Sequence, residues 1–169
     1  MVLSQGWWFV ARDGQQGHVR VETPDPGLRT PETYLGAARA RGWATPVSPG
    51  RHDYGAVGEP PAPNGFAYSG VWRISDEDAT SVEDARIDAT FTARRVFLVL
   101  GSPGSERDLK VLLDGRPIGA GDSGDDVTNG VVAVGPQRLY SLVDLPRAAR
   151  HTLTLEFDPG VSGYAFTFG

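Results

Sequence analysis

From Asn64 onward the chain reads as a series of short strands. Phe66, Tyr68, Gly70, Trp72 and Ile74 recur at every second position, as do Ile87, Ala89 and Phe91, and later Leu153, Leu155 and Phe157. A period of two places each set on one face of an extended strand. Residues 96–100, Val-Phe-Leu-Val-Leu, are apolar throughout and predict a central strand covered on both faces. Leu109, Val111 and Leu113 run into Asp114-Gly115, the strongest hairpin signal in the chain. An acidic, glycine-rich loop over residues 119–130 leads to Val131-Val132-Ala133-Val134 and then to an apolar run from Leu139 to Val143. Near the end, Tyr164, Phe166 and Phe168 alternate with Ala165 and Thr167. That spacing predicts a closing strand with three rings on one face. Short strands with turn signals between them predict an all-β fold, a β-sandwich or jelly roll.

The first 63 residues have a different texture. Trp7 to Val10, Asp13-Gly14 and the alternating Val19 and Val21 predict a hairpin, so residues 1–27 are expected as an N-terminal extension or edge hairpin and residues 28–169 as one sandwich domain. Eight prolines between Thr23 and Pro63 (Pro24, Pro26, Pro31, Pro46, Pro49, Pro60, Pro61 and Pro63) limit any helix to a short one. The best candidate covers residues 32–41, with Pro31 in its first turn and Gly42 at its end. The rest of this proline-rich stretch is expected to wrap over the sheet.

Composition narrows the chemistry. A chain of 169 residues can bury a core without cross-links, and it has no cysteine, which excludes thiol catalysis and thiolate metal sites. A net charge of −5 argues against nucleic acid or an anionic membrane as partner. No apolar run approaches the roughly 20 residues of a membrane span, and the start lacks the basic segment of an export signal. The chain as it stands is expected in the cytoplasm, or outside it as part of a longer fusion.

Catalytic motifs are missing. There is no Gly-x-Ser-x-Gly, phosphate loop or His-Glu-x-x-His. His52 beside Asp53 could form a base pair, but neighbours on a strand point to opposite faces, and a solvated loop is the stronger reading. His151 alternates with core leucines and is expected at an edge in a structural role. Asp122, Asp125 and Asp126 offer hard oxygen ligands suited to calcium, yet they fail the EF-hand pattern and read more simply as a solvated turn. Glu83-Asp84 and Asp76-Glu77-Asp78 read as turn acids. No cofactor is expected. The better leads are amphipathic rings, Trp72, Tyr68, Tyr140, Tyr164 and Trp43, able to stack on a sugar or small hydrophobe, with Arg94 and Arg138 as orienting donors and Arg73 and Arg95 nearby. For Tyr140 and Tyr164, core packing and ligand contact remain open alternatives.

Six short motifs occur in order: Thr30-Pro31-Glu32-Thr33-Tyr34-Leu35-Gly36 with Arg39-Ala40; Ser69-Gly70-Val71-Trp72; Phe91-Thr92-Ala93-Arg94-Arg95-Val96; Leu113-Asp114-Gly115; Arg138-Leu139-Tyr140; and Tyr164-Ala165-Phe166-Thr167-Phe168-Gly169. Together they resemble the C-terminal domain of DipZ-like bacterial thioredoxin proteins. The resemblance implies a β-sandwich similar to carbohydrate-binding modules, carried behind a thioredoxin fold in extracytoplasmic redox proteins. Residues 1–27 are too few for that fold and there is no Cys-x-x-Cys, so no redox activity follows. The family's Asp-Val-Asp is Asp126-Val127-Thr128 here. The expected function is a non-catalytic module that binds a glycan or small molecule, or docks on a partner protein. The alternatives are a stand-alone sandwich enzyme that cyclises or isomerises a small hydrophobic metabolite by positioning, and a purely structural interaction module.

Overall fold

A computed structural model describes residues 29–169; the hairpin expected around Asp13-Gly14, and His18, lie outside the described residues. Among the described residues nine strands follow one another: β1 (Thr33–Tyr34), β2 (Gly50–Asp53), β3 (Phe66–Ile74), β4 (Ala79–Gly101), β5 (Arg107–Leu113), β6 (Arg116–Pro117), β7 (Val131–Val134), β8 (Arg138–Phe157) and β9 (Ser162–Phe168). All their pairings are antiparallel.

The two long strands build both layers of a sandwich. Residues 86–93 of β4 pair with 149–156 of β8, and residues 95–100 of β4 pair with 138–144 of β8, with a register shift at the corner between them. The first stretch joins β3 and β2 on one side and β5 with β6 and β7 on the other, forming the front sheet. The second joins β9 and β1, forming the rear sheet. Phe66 of β3 meets Phe166 and Phe168 of β9 across the interior at 5.3 and 6.0 Å between ring centroids. Trp72 meets Phe157 edge-on at 4.9 Å. Fully burying a side chain of this kind contributes about 1.5–3 kcal/mol, so these rings dominate the core.

The alternation predicts the inward residues well. Phe66, Trp72, Ile74, Ile87, Ala89, Phe91, Leu153, Leu155, Phe157, Phe166 and Phe168 are all buried. The Asp114-Gly115 hairpin is present, with φ of 51° and 81°, positive values that suit a two-residue turn. The segment over residues 54–65 does wrap the front sheet: Thr90 Oγ1 donates to the Pro61 carbonyl at 2.7 Å, and the Asn64 N–H donates to the Thr90 carbonyl at 2.8 Å.

Three expectations give way. The helix over 32–41 is replaced by β1 and a single 3-10 turn, Ala37–Arg39, because this segment bonds outward: Leu35 N–H to the Tyr164 carbonyl, Ala37 and Ala38 N–H to the Ser75 and Asp76 carbonyls. Residues 96–100 are central, but Phe97 and Val99 remain half-buried on the outer side. Glu83 and Asp84 lie inside β4, at a bulge where Gly70 of β3 comes so close that a Cβ would fall 2.0 Å from the Asp84 carbonyl oxygen.

Tyr164 also leaves the row of rings. Between Leu98 and Leu100, β9 carries one extra residue, so Leu98 faces Phe166 and Leu100 faces Gly163. Gly163 takes the inward position, where a Cβ would sit 2.6 Å from Leu35 Cδ2. Tyr164 is left half-buried, its hydroxyl held above its ordinary pKa by burial and by the charges of Asp78 and Glu77.

Candidate functional site

The outward positions of the front sheet carry fixed polar groups. In register across three strands, Arg86 of β4 faces Glu156 of β8, which faces Lys110 of β5. One step along, Asp88 faces Thr154. Arg86 grips Asp88 with two hydrogen bonds of 2.8 Å, and Thr154 Oγ1 donates to Asp88 Oδ1 at 2.7 Å. The hydrogen bond to Asp88 raises the Arg86 pKa; burial opposes it, and the charges of Asp88 and Glu156 add to it. Asp88 and Thr154 are buried beneath this row, so the guanidinium is held in one orientation.

Two hollows meet on this face. The first, of about 520 Å³, lies between the 55–57 segment and the Gly70 bulge, with Asp53, Ser69, Glu83 and Asp84 in its walls. The second, of about 390 Å³, contains Arg86, Lys110, Glu156 and Asp158. Val57 and Asp84 belong to both, so the two form one groove. Gly70 makes the first hollow possible: its φ of 74° lets its N–H donate to the Gly55 carbonyl while its own carbonyl accepts from Tyr54. Ser69 Oγ and Tyr54 Oη are buried and have no hydrogen-bond partner among the described residues. An unsatisfied buried hydroxyl costs about 1–3 kcal/mol, and that of Ser69 belongs to a residue in the wall of the groove.

The aromatic candidates do not form this site. Trp72 and Tyr140 are 0% and 1% exposed and Tyr68 is 7% exposed, so none offers a ring face to a ligand. Each buried polar edge is satisfied within the protein: Trp72 Nε1 donates to the Ser69 carbonyl, Tyr68 Oη to the Leu35 carbonyl, and Tyr140 Oη to the Pro136 carbonyl while accepting from Gly135 N–H. These three rings are core. Arg138 is brought to Tyr140, but as its lid, with Cζ 3.8 Å from the ring centre. Arg94 sits at the corner of β4, 3.4 Å from Asp144 and bonded to the Leu145 carbonyl. Arg95 reaches the same Asp144 carboxylate. Trp43 stacks on Tyr68 at 4.0 Å and donates to the Tyr34 carbonyl. Tyr164 lies beside Asp78 and Glu77, whose charges act on its hydroxyl.

The acidic loop is an extension of the rear sheet. Gly124 and Asp126 N–H donate to the Leu142 and Ser141 carbonyls, and Asp144 N–H donates to the Asp122 carbonyl. Asp126 is committed to Arg138, and that hydrogen bond leads the effects that hold its carboxyl below the ordinary range, with burial opposing and the Ser141 N–H assisting. Among the described residues no three acidic or histidine side chains gather as a metal site. His52 bonds to the Ser48 and Pro49 carbonyls while Asp53 accepts from Gly55 N–H, so the two form no dyad. His151 bonds to Asp114 at 2.6 Å beside the hairpin.

Comparison with known structures places the fold. Part of a family two carbohydrate esterase from Cellvibrio japonicus superposes with a TM-score of 0.50 at 14% identity, over 61% of this chain and 30% of the esterase. A family two carbohydrate esterase from Clostridium thermocellum, in complex with cellohexaose, gives 0.49 at 20% identity, over 62% and 31%. The chain thus spans less than a third of either enzyme. No curated protein matches it in sequence. The family model for the thioredoxin-like C-terminal domain matches residues 30–169, nearly the whole described sandwich, and the chain belongs to that family.

Proposed function

We propose that the chain is a non-catalytic binding module for a hydroxylated ligand of the glycan type, held in the groove on the front sheet. The observation that carries this is the groove itself: two hollows joined at Val57 and Asp84, with Arg86, Glu156 and Lys110 in register at outward positions of three neighbouring strands. Sugar hydroxyls both donate and accept, so Glu83, Asp84, Glu156 and Asp158 suit their protons and Arg86 and Lys110 their lone pairs. Val57 and Val71 supply apolar contacts for ring C–H groups. Shared fold with part of a carbohydrate esterase is compatible with this reading. The test is affinity electrophoresis and calorimetry against soluble polysaccharides. Glu156→Gln and Lys110→Ala should each weaken glycan binding about tenfold with unchanged circular dichroism. Binding that ignores both substitutions, or no binding by any glycan, would sink the proposal.

A second reading, docking on a partner protein, draws on the rear sheet. Its outer face presents Leu139, 48% exposed, beside half-buried Val99 and Phe97. Leu139→Lys should abolish any concentration-dependent self-association seen by analytical ultracentrifugation.

A further inference from the structure

Two arginines lie over tyrosine rings at the same distance. Arg138 Cζ is 3.8 Å from the centre of Tyr140, and Arg39 Cζ is 3.8 Å from the centre of Tyr34. A guanidinium stacked this way is already oriented, and its N–H edge becomes a ready-made fork for a planar anion. In the first pair that fork is filled: Arg138 Nη2 donates to Asp126 Oδ1 at 2.8 Å and Nη1 to Oδ2 at 3.2 Å. In the second pair no described carboxylate lies within ion-pair distance of Arg39.

The surroundings of Arg39 make a site. The residue closes the 3-10 turn Ala37–Arg39, which is pinned to the 75–76 carbonyls by the Ala37 and Ala38 N–H groups. A hollow of about 500 Å³ opens beside it, with Glu32, Tyr34, Arg41 and Asn64 in its walls, and it shares no residue with the groove on the front sheet. Asn64 Oδ1 accepts from Thr30 Oγ1 at 2.7 Å, which leaves the amide NH2 as its donor group.

We propose that this hollow is a second binding site, for a sugar that carries a carboxylate, of the uronic acid type. The carboxylate would lie against the Arg39 fork, in the place that Asp126 takes on Arg138, with Arg41 adding charge. Fork-to-fork pairing serves carboxylates and phosphates alike, so the choice between them falls to the charge of the surrounding wall. Glu32 in the same wall disfavours a dianion and accepts hydrogen bonds from hydroxyl groups. The volume fits a ring-sized body, and the Asn64 amide can donate to its oxygens.

The test is a titration of the full-length, isotope-labelled protein with glucuronate, glucose and inorganic phosphate, followed by amide chemical shifts. Glucuronate should saturably shift the amides of Gly42 and Asn64, whereas glucose and phosphate should not. Arg39→Gln and Arg39→Lys should each weaken glucuronate at least about tenfold, the lysine variant because it keeps the charge and loses the fork. Arg116→Gln, an exposed arginine of β6 that lines neither the groove nor this hollow, should leave glucuronate binding unchanged. Arg39 is exposed, so both Arg39 variants should melt like the parent; if either does not, Arg41→Gln provides the same comparison with a weaker expected loss. No shift with glucuronate, equal shifts with phosphate, or full affinity in Arg39→Gln would each overturn the proposal.

Discussion

The inner faces of the two sheets are nearly interchangeable, and the outer faces are not. Inside, β3 and β9 both contribute phenylalanines to one stack, and either sheet could be mistaken for the other by composition. Outside, the front sheet carries Arg86, Asp88, Thr154, Glu156 and Lys110 beside a wrapping segment, while the rear sheet shows Phe97, Val99 and Leu139. What makes the molecule fold is therefore common to both layers. Whatever it recognises must be read from the outward positions, where they differ.

That contrast can be challenged by substitution. The largest effects should fall inside and be equal on both sides: Trp72→Ala in the front sheet and Phe166→Ala in the rear should each cost about 3–5 kcal/mol in urea denaturation. A loss confined to one sheet would break the equivalence of the inner faces. Outside, Arg86→Met should cost roughly 2 kcal/mol, because it strips the charge partner from a largely buried Asp88. Leu139→Lys, at an exposed position on the outer side of the rear sheet, should change stability by no more than about 0.5 kcal/mol. Similar losses at the two positions would erase the difference between the outer faces.

The smallest effect concerns acid. Arg138 holds the Asp126 carboxyl below its ordinary pKa, so the pair stabilises the fold above the unfolded carboxyl pKa of about 4 and loses that contribution as pH falls through the lower folded value. Asp126→Asn should flatten the acid side of the stability profile by less than about 1 kcal/mol, since both partners are partly solvated. Asp114 should behave in the same direction: burial alone would raise its pKa, but the Thr152 N–H and His151 together outweigh it.

Much of this was legible in the order of residues. Ile87, Ala89 and Phe91 announce an inward face, and the residues between them, Arg86, Asp88 and Thr90, are by that token outward. The groove was harder to see because it crosses β4, β8 and β5, which are distant in sequence; no local pattern says that Arg86, Glu156 and Lys110 share a row. The rings misled for a related reason. Trp72 and Tyr140 are amphipathic, and a sequence does not show that Ser69, Gly135 and Pro136 meet their polar edges. Tyr164 was misplaced by one extra residue in β9, a bulge with no signature of its own beyond Gly163. The helix over 32–41 had the right end signals, but the carbonyls of β9 and of the 75–76 turn claimed its N–H groups first.

The 23-residue β4 and the 20-residue β8 each belong to both layers. Neither sheet can open while the other stays shut without tearing the paired β4–β8 ribbon at its corner. Amide hydrogens on the front and rear sheets should therefore exchange with deuterium through one shared opening, as a single cooperative unit. A ligand seated on the front sheet would then slow exchange on the rear sheet as well, and occupancy of one face would be readable from the other.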